Sequence, residues 1–222
     1  MQKSKCKNQN AKWGIIGVLC CALLTSGSSA GAASLDEQVD TVQRTYQSLG
    51  DLQAAFTQAT YVKALGKNVN NSGLLSLKKP GKLRIDYHGN PAKQYISNGK
   101  TLWITTPGDP QVMMQKLGKA GIPREALAFL TGFAQLRELF TVTAGDAGKR
   151  GAIHLTLTPK RGGGFRRLDA AFNERGLLTA LTVHNNGGGT ASYRFSNIRT
   201  NVGIDDGLFH FSPPAGSQVI RP

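Results

Sequence analysis

The 222-residue chain holds only three cysteines, and Cys6, Cys20 and Cys21 all fall near its N-terminus. Acids are scarce as well, with 13 Asp and Glu against 27 Lys and Arg and a formal net charge of +14. Aromatic residues make up 7% of the chain. His88, His154, His184 and His210 are scattered, with no i,i+4 pair and no H-E-x-x-H, so no metal site is expected. Asp205-Asp206-Gly207 has no following bidentate Glu and reads as a polar turn rather than a calcium loop. Carboxylates are too sparse to nominate a glycosidase pair. Gly162-Gly163-Gly164, with Lys160, Arg161, Arg166 and Arg167 around it, lacks the strand–loop–Lys–helix setting of a phosphate cradle and reads as a solvated hairpin loop. These absences leave no residue set for catalysis, and neither an enzyme nor a cofactor is expected.

What is present begins with the first 32 residues. Lys3, Lys5, Lys7 and Lys12 precede an apolar run from Gly14 to Leu24, then a small-residue stretch to Ala33. Basic, apolar, small is the order of a secretory signal peptide, and the run is well short of the ~20 residues of a membrane-spanning helix. Ala30-Gly31-Ala32 fits the cleavage pattern, with Ser28-Ser29-Ala30 as an alternative, so residues 1–32 are expected to be removed and 33–222 to form one domain in the periplasm. The Gly27–Gly31 match to G-x-S-x-G lies in this leader, outside any strand-to-helix turn, and carries no weight. Cleavage would take all three cysteines and four lysines but no acid, leaving 23 basic against 13 acidic residues, a charge of +10. The exported chain would then have no disulfide and no thiolate nucleophile.

Ser34 and Glu37 form a capping-box pattern, and Leu35, Val39, Val42, Tyr46 and Leu49 follow at helical spacing. This predicts an amphipathic helix lying on a surface and stopped by Gly50. From Leu52 the period changes to two: Leu75 and Leu77, then Leu83, Ile85 and Tyr87, then Ile153, Leu155 and Leu157 alternate with polar residues. Asn98-Gly99 predicts a tight hairpin between Lys93–Ser97 and Lys100–Thr105. About ten or eleven short strands are expected, joined as an antiparallel meander. Pro123 to Phe133 interrupts it with a short helix apolar on every side, which suggests a cover over an apolar cavity.

At this level the sequence resembles the LolA family of periplasmic lipoprotein carriers. The resemblance rests on Phe56-Thr57-Gln58, the run Gly73 to Tyr87, Ser97 to Trp103, the Pro123 to Gly132 helix, and the tail Phe209 to Gly216. It implies a mainly β fold: an open, incomplete antiparallel β-barrel closed by an α-helical lid over an apolar cavity. It also implies acylated lipoproteins as cargo, an inner-membrane lipoprotein-releasing ABC transporter as donor and an outer-membrane lipoprotein acceptor. A monomer is expected. The apolar positions expected to line the cavity are Leu75, Leu77, Leu83, Ile85, Tyr87, Trp103 and Met113 on the sheet, with Leu127, Phe129 and Leu130 on the lid. Met113 and Met114 cannot both face inward on a regular strand. Where the family carries an arginine that closes the lid, this chain has Lys79, which keeps the charge but not the planar fork, so a differently wired gate is expected there.

Two other classes were open. A related lidded barrel could bind lipid or glycolipid for envelope transport or sensing. A stress sensor of that kind carries an added C-terminal domain, whereas this chain stops three residues after Val219. A basic nucleic-acid module is not expected, because export separates the chain from nucleic acid and its few aromatics do not interleave with the arginines.

Overall fold

The computed structural model describes residues 33–89, 91–116, 133–146, 151–161 and 165–221. Residues from Ala33 onward form one compact unit, while the leader 1–32 and the expected lid helix at 123–132 lie outside the described residues.

Helix α1 (Leu35–Ser48) starts as its sequence dictates. The Ser34 hydroxyl accepts the Glu37 N–H, and the Glu37 carboxylate accepts the Ser34 N–H at 2.7 Å. Its buried stripe is Val39, Val42 and Tyr46. Its end differs from expectation. Leu49 is the cap residue, and Gly50 does not take the left-handed conformation that would make a glycine stop. Instead the Gly50 N–H donates to Asn201 Oδ1 at 2.7 Å, and the Gly50 carbonyl accepts the Lys79 N–H at 2.9 Å. Distant partners, rather than local glycine chemistry, end the helix.

The strands follow as β1 (Asp51–Val62), β2 (Lys67–Lys78), β3 (Lys82–Tyr87), β4 (Lys93–Asn98), β5 (Thr101–Thr105) and β6 (Gln111–Lys116). After the short helix α2 (Leu136–Leu139) come β7 (Phe140–Ala144), β8 (Ile153–Pro159), β9 (Phe165–Phe172), β10 (Leu178–Asn185), β11 (Thr190–Thr200) and β12 (Gln218–Ile220). They form one sheet in the order β12-β6-β5-β4-β3-β2-β1-β11-β10-β9-β8-β7. The edges β12 and β7 are not paired to each other among the described residues, so the sheet is open. The described strands number twelve. The one beyond the expected range is β12, and its pairing with β6 is parallel, because the C-terminal segment returns across the sheet instead of turning back in a hairpin. The hairpin at Asn98 sits one residue later than its sequence suggests. The Asn98 side chain accepts the N–H groups of Lys100 and Thr101, and β4 extends to Asn98 itself.

Two sides of this sheet are covered differently. Alternation places Leu52, Leu77, Leu83, Leu155, Leu168 and Phe172 on the inner face, within one core cluster that includes the α1 stripe. Ile96, Val112, Ile204 and Phe209 are also buried but stand outside that cluster. They mark a second, smaller layer, in which the C-terminal segment with its turn at Asp206–Phe209 lies against β3 and β4 on the outer face.

Asp51 joins these two layers. Its buried carboxylate accepts the backbone N–H groups of Val202, Gly203 and Ile204 at 2.8, 2.9 and 3.1 Å. Burial would raise its pKa, but these donors and nearby Lys78 outweigh that and hold it below the ordinary value. Further along, Asp206 binds Lys78 and Lys82 at 2.7 Å each, and the two lysines pull its pKa down to about 2. Asp205-Asp206-Gly207 is therefore an ion-paired anchor: Asp205 caps the turn and Asp206 ties it to β2 and β3.

Replacing Asp51 by alanine leaves three backbone donors without their acceptor and should cost about 2–4 kcal/mol in urea denaturation. Because the folded pKa of Asp51 lies below its unfolded value of about 3.9, its contribution is complete above that value. It is lost as pH falls through the lowered folded value. Over this acid range the wild type should therefore lose stability more steeply than Asp51→Asn, as read from thermal melts.

Candidate functional site

On the inner face, direct cross-strand partners form continuous rows. The central row runs Ala54–Leu75–Ile85–Tyr95–Ile104–Met113, crossing β1 to β6 without a polar residue. At a strand spacing of about 4.8 Å the row is roughly 24 Å wide. Leu75 and Ile85 are buried, Tyr95 and Ile104 are half-buried, and Met113 is 37% exposed. Apolar character persists while cover thins toward the β6 side.

Aromatic rings border this row. Phe56 meets Tyr87 edge-on at 5.2 Å, Tyr87 lies 6.0 Å from Tyr95, and Tyr193 stacks on Phe195 at 6.2 Å. Phe56 reaches Tyr87 because the residue between them on β2 is Gly73. A Cβ there would sit 2.6 Å from the Phe56 ring and 2.3 Å from the Asp86 carbonyl oxygen. At the other end α1 and Phe133 fill the face: Phe133 packs 5.0 Å from Tyr46 and 5.4 Å from Phe172. The buried Tyr46 hydroxyl accepts the Leu178 N–H, and its pKa is raised by desolvation. Arg137 of α2 bonds to Asp36 and Asp40 of α1, which fixes this end of the chain segment to the helix.

The structure brings six of the expected residues together, since Leu75, Leu77, Leu83, Ile85, Tyr87 and Met113 share the inner face. Trp103 does not join them and is corrected here. Its direct partners are Ile96 and Met114, which belong to the outer face, and its ring lies 6.1 Å from Phe211 of the C-terminal segment. The reason is parity: neighbouring Leu102 pairs with Ser97 and so with Leu83, which leaves Trp103 pointing away. Met113 and Met114 divide in the same manner. Leu127, Phe129 and Leu130 lie outside the described residues, as does the Gly162–Gly164 loop. Phe56, Tyr95, Ile104, Tyr193 and Phe195 were missed. Tyr95 and Ile104 each stand beside another apolar residue, Ile96 and Trp103, so no alternation marks their side and only the strand register shows which face they take.

Lys79, expected at a lid gate, has partners on α1 among the described residues. Its ammonium donates to the carbonyls of Tyr46 at 2.6 Å and Gln47 at 3.0 Å, the open C-terminal end of α1. Partial burial lowers its pKa from the ordinary lysine value. The point charge suits this place, because two carbonyls on successive residues accept from one nitrogen without a planar fork.

The outer face of β8 to β10 is chemically different. A cavity of about 310 Å³ there is lined by Asp146, His154, Thr156, Arg167, Asp169 and Thr182 together with glycine, alanine and leucine residues. Asp169 accepts from Thr156 and Arg167 at 3.0 Å each and contacts His184 at 2.6 Å. Burial pushes the Asp169 pKa up, but the bonds to His184, Thr156 and Arg167 outweigh it and leave it lowered. Asp169 thus gathers most of the polar groups here, although Arg167 Nε is buried without a partner, whereas the central row of the inner face presents mainly apolar area.

The family described as "Outer membrane lipoprotein carrier protein LolA" matches residues 47–212. The outer-membrane lipoprotein carrier protein of Dechloromonas aromatica (strain RCB) is 32% identical over 208 residues, spanning 93% of this chain and 95% of that protein. The carrier protein of the same description from Methylococcus capsulatus (strain ATCC 33009 / NCIMB 11132 / Bath) is 30% identical over 209 residues, with 93% and 95% covered. That of Nitrosospira multiformis (strain ATCC 25196 / NCIMB 11849 / C 71) is 30% identical over 171 residues, with 76% and 81% covered.

Gly73→Ala should displace the Phe56 ring and cost about 1–3 kcal/mol, with altered near-ultraviolet circular dichroism as the readout. Lys79→Met should cost about 1–2 kcal/mol and speed amide exchange in the last turn of α1. Lys79→Arg, which retains donors, should show the smaller loss.

Proposed function

The chain belongs to the LolA family of outer membrane lipoprotein carriers, and from that premise we propose that it shields lipoprotein acyl chains in transit across the periplasm. The observation that carries the reading is the apolar row from Ala54 to Met113, bordered by Tyr87 and Phe195 and incompletely covered. An acyl chain of about fifteen methylenes costs roughly 12 kcal/mol to expose to water, so a lipoprotein needs such a surface to leave a bilayer. Release must also remain possible. Tyr, Ile and Met side chains supply area and adaptable shape without the geometric demands of hydrogen bonds, so cargo can slide off when a larger apolar phase is offered.

In this reading residues 1–32 direct export and are cleaved, and the chain acts as a monomer in the periplasm. An inner-membrane ABC transporter loads it and an outer-membrane acceptor unloads it. The work is transfer between apolar environments, with no covalent step. The 123–132 segment, with Leu127, Phe129 and Leu130, serves as the apolar cover. Tyr87, Tyr95, Ile104 and Met113 form the contact surface, and Leu75, Leu77, Leu83 and Ile85 form its floor.

Incubation with spheroplasts bearing an active exporter should release lipoprotein into solution as a complex with this chain, and mass spectrometry of the purified complex should find triacylated cargo. Bound glycolipid or phospholipid without lipoprotein would instead favour an envelope lipid-binding protein. Ile104→Asp places a charge in the central row and should reduce lipoprotein release at least tenfold. Trp103→Phe, on the outer face, should leave release unchanged.

A further inference from the structure

The longest hairpin of the sheet ends in a tip unlike any other described surface. β1 keeps β11 as a neighbour as far as the Tyr61–Thr190 pair, but β2 has β3 beside it only from Gly73 onward. The Ser72 carbonyl still accepts the His88 N–H at 2.8 Å, but residues 67–71 have no such partner on that side among the described residues, and the turn at Lys63–Leu65, closed by Gly66 in the left-handed conformation, extends past both neighbouring strands. At its apex Leu65 is 65% exposed, the most exposed large apolar side chain described. Tyr61 and Val69 follow at 41% and 45%. Lys63 and Lys67 flank Leu65 two residues to either side, and the chain has no acid between Asp51 and Asp86.

We propose that the β1–β2 tip is a membrane-surface contact, in which Leu65 enters an anionic bilayer while Lys63 and Lys67 meet lipid phosphates. A partner protein would need a pocket shaped for one projecting leucine. A bilayer accepts an apolar point of any orientation, and its anionic headgroups match a cationic collar just behind that point. Tyr61, with its apolar ring and polar tip, suits the depth of the headgroups. The acid-free stretch removes the repulsion that would otherwise oppose the approach. This contact lies outside the acyl-chain-binding face and does not depend on lipoprotein binding, so vesicles without any lipoprotein test it alone.

The experiment floats the protein purified from periplasm with vesicles containing phosphatidylglycerol and, separately, with vesicles of phosphatidylcholine only. Leu65→Glu should weaken binding to the anionic vesicles about tenfold, as should the pair Lys63→Gln and Lys67→Gln. Both variants alter exposed side chains and should melt as the wild type does. Val202→Glu, at an exposed apolar residue elsewhere, should bind as the wild type. The proposal is overturned if the wild type fails to float with anionic vesicles. It is equally overturned if Leu65→Glu binds undiminished, which would mean that the tip does not meet the bilayer, or if Val202→Glu weakens binding as much as Leu65→Glu, which would mean adsorption by net charge alone.

Discussion

Everything functional in this structure depends on the alternation of side chains along paired strands. In an antiparallel ladder directly opposed residues share a face, so one register setting is passed from β1 to β6 without interruption. A slip of one residue at any of these ladders would turn Ile85, Tyr95 or Ile104 outward and bring Arg84, Ile96 or Trp103 inward. The apolar row is therefore a collective property of five ladders. The core residues beneath it enforce the register, because Leu77, Leu83 and Leu102 lose their burial if it changes.

The two covers of the sheet divide the labour. On the inner face α1 and Phe133 occupy the half nearest β9 and β10, which leaves the β3 to β6 half with its aromatic border. On the outer face the C-terminal segment buries Ile96 and Val112 and takes Trp103 into contact with Phe211. Asp51 ties the arrangement together, since it begins β1, lies next to the end of α1 and holds the backbone that leads to the outer layer. Lys79 adds a second tie from the β2–β3 turn to the carboxyl end of α1. Polar bonding is concentrated at these junctions, while the apolar row carries little of it: Gln115 donates to Met113 Sδ at 2.9 Å and Lys93 lies over the Tyr95 ring.

That separation suits a carrier. Directional bonds to cargo would deepen binding and oppose unloading, while dispersion and burial scale with area and can be traded for the interior of a bilayer with little barrier. The positive charge is also spread unevenly, as Lys63 and Lys67 stand at the projecting tip while Lys78 and Lys82 are engaged with Asp206. A formal charge count could not distinguish charges held inside the fold from those offered to a surface.

Much of this was legible from the sequence. The capping box set the start of α1, period-two alternation located most strands, and five matching segments pointed to the family. Those signals are local: they depend on residues a few positions apart, and the physics that produces them acts over the same distance. Tertiary structure alone decided the facing of Trp103, the partners of Lys79, the end of α1 and the parallel return of β12. Each of these is set by contacts between residues far apart in the chain, such as Gly50 with Asn201 or Lys79 with Tyr46. Sequence determined which residues were apolar enough to meet an acyl chain, and only the register determined which of them could do so together. One side of a strand is chemically as acceptable as the other until its neighbours are paired.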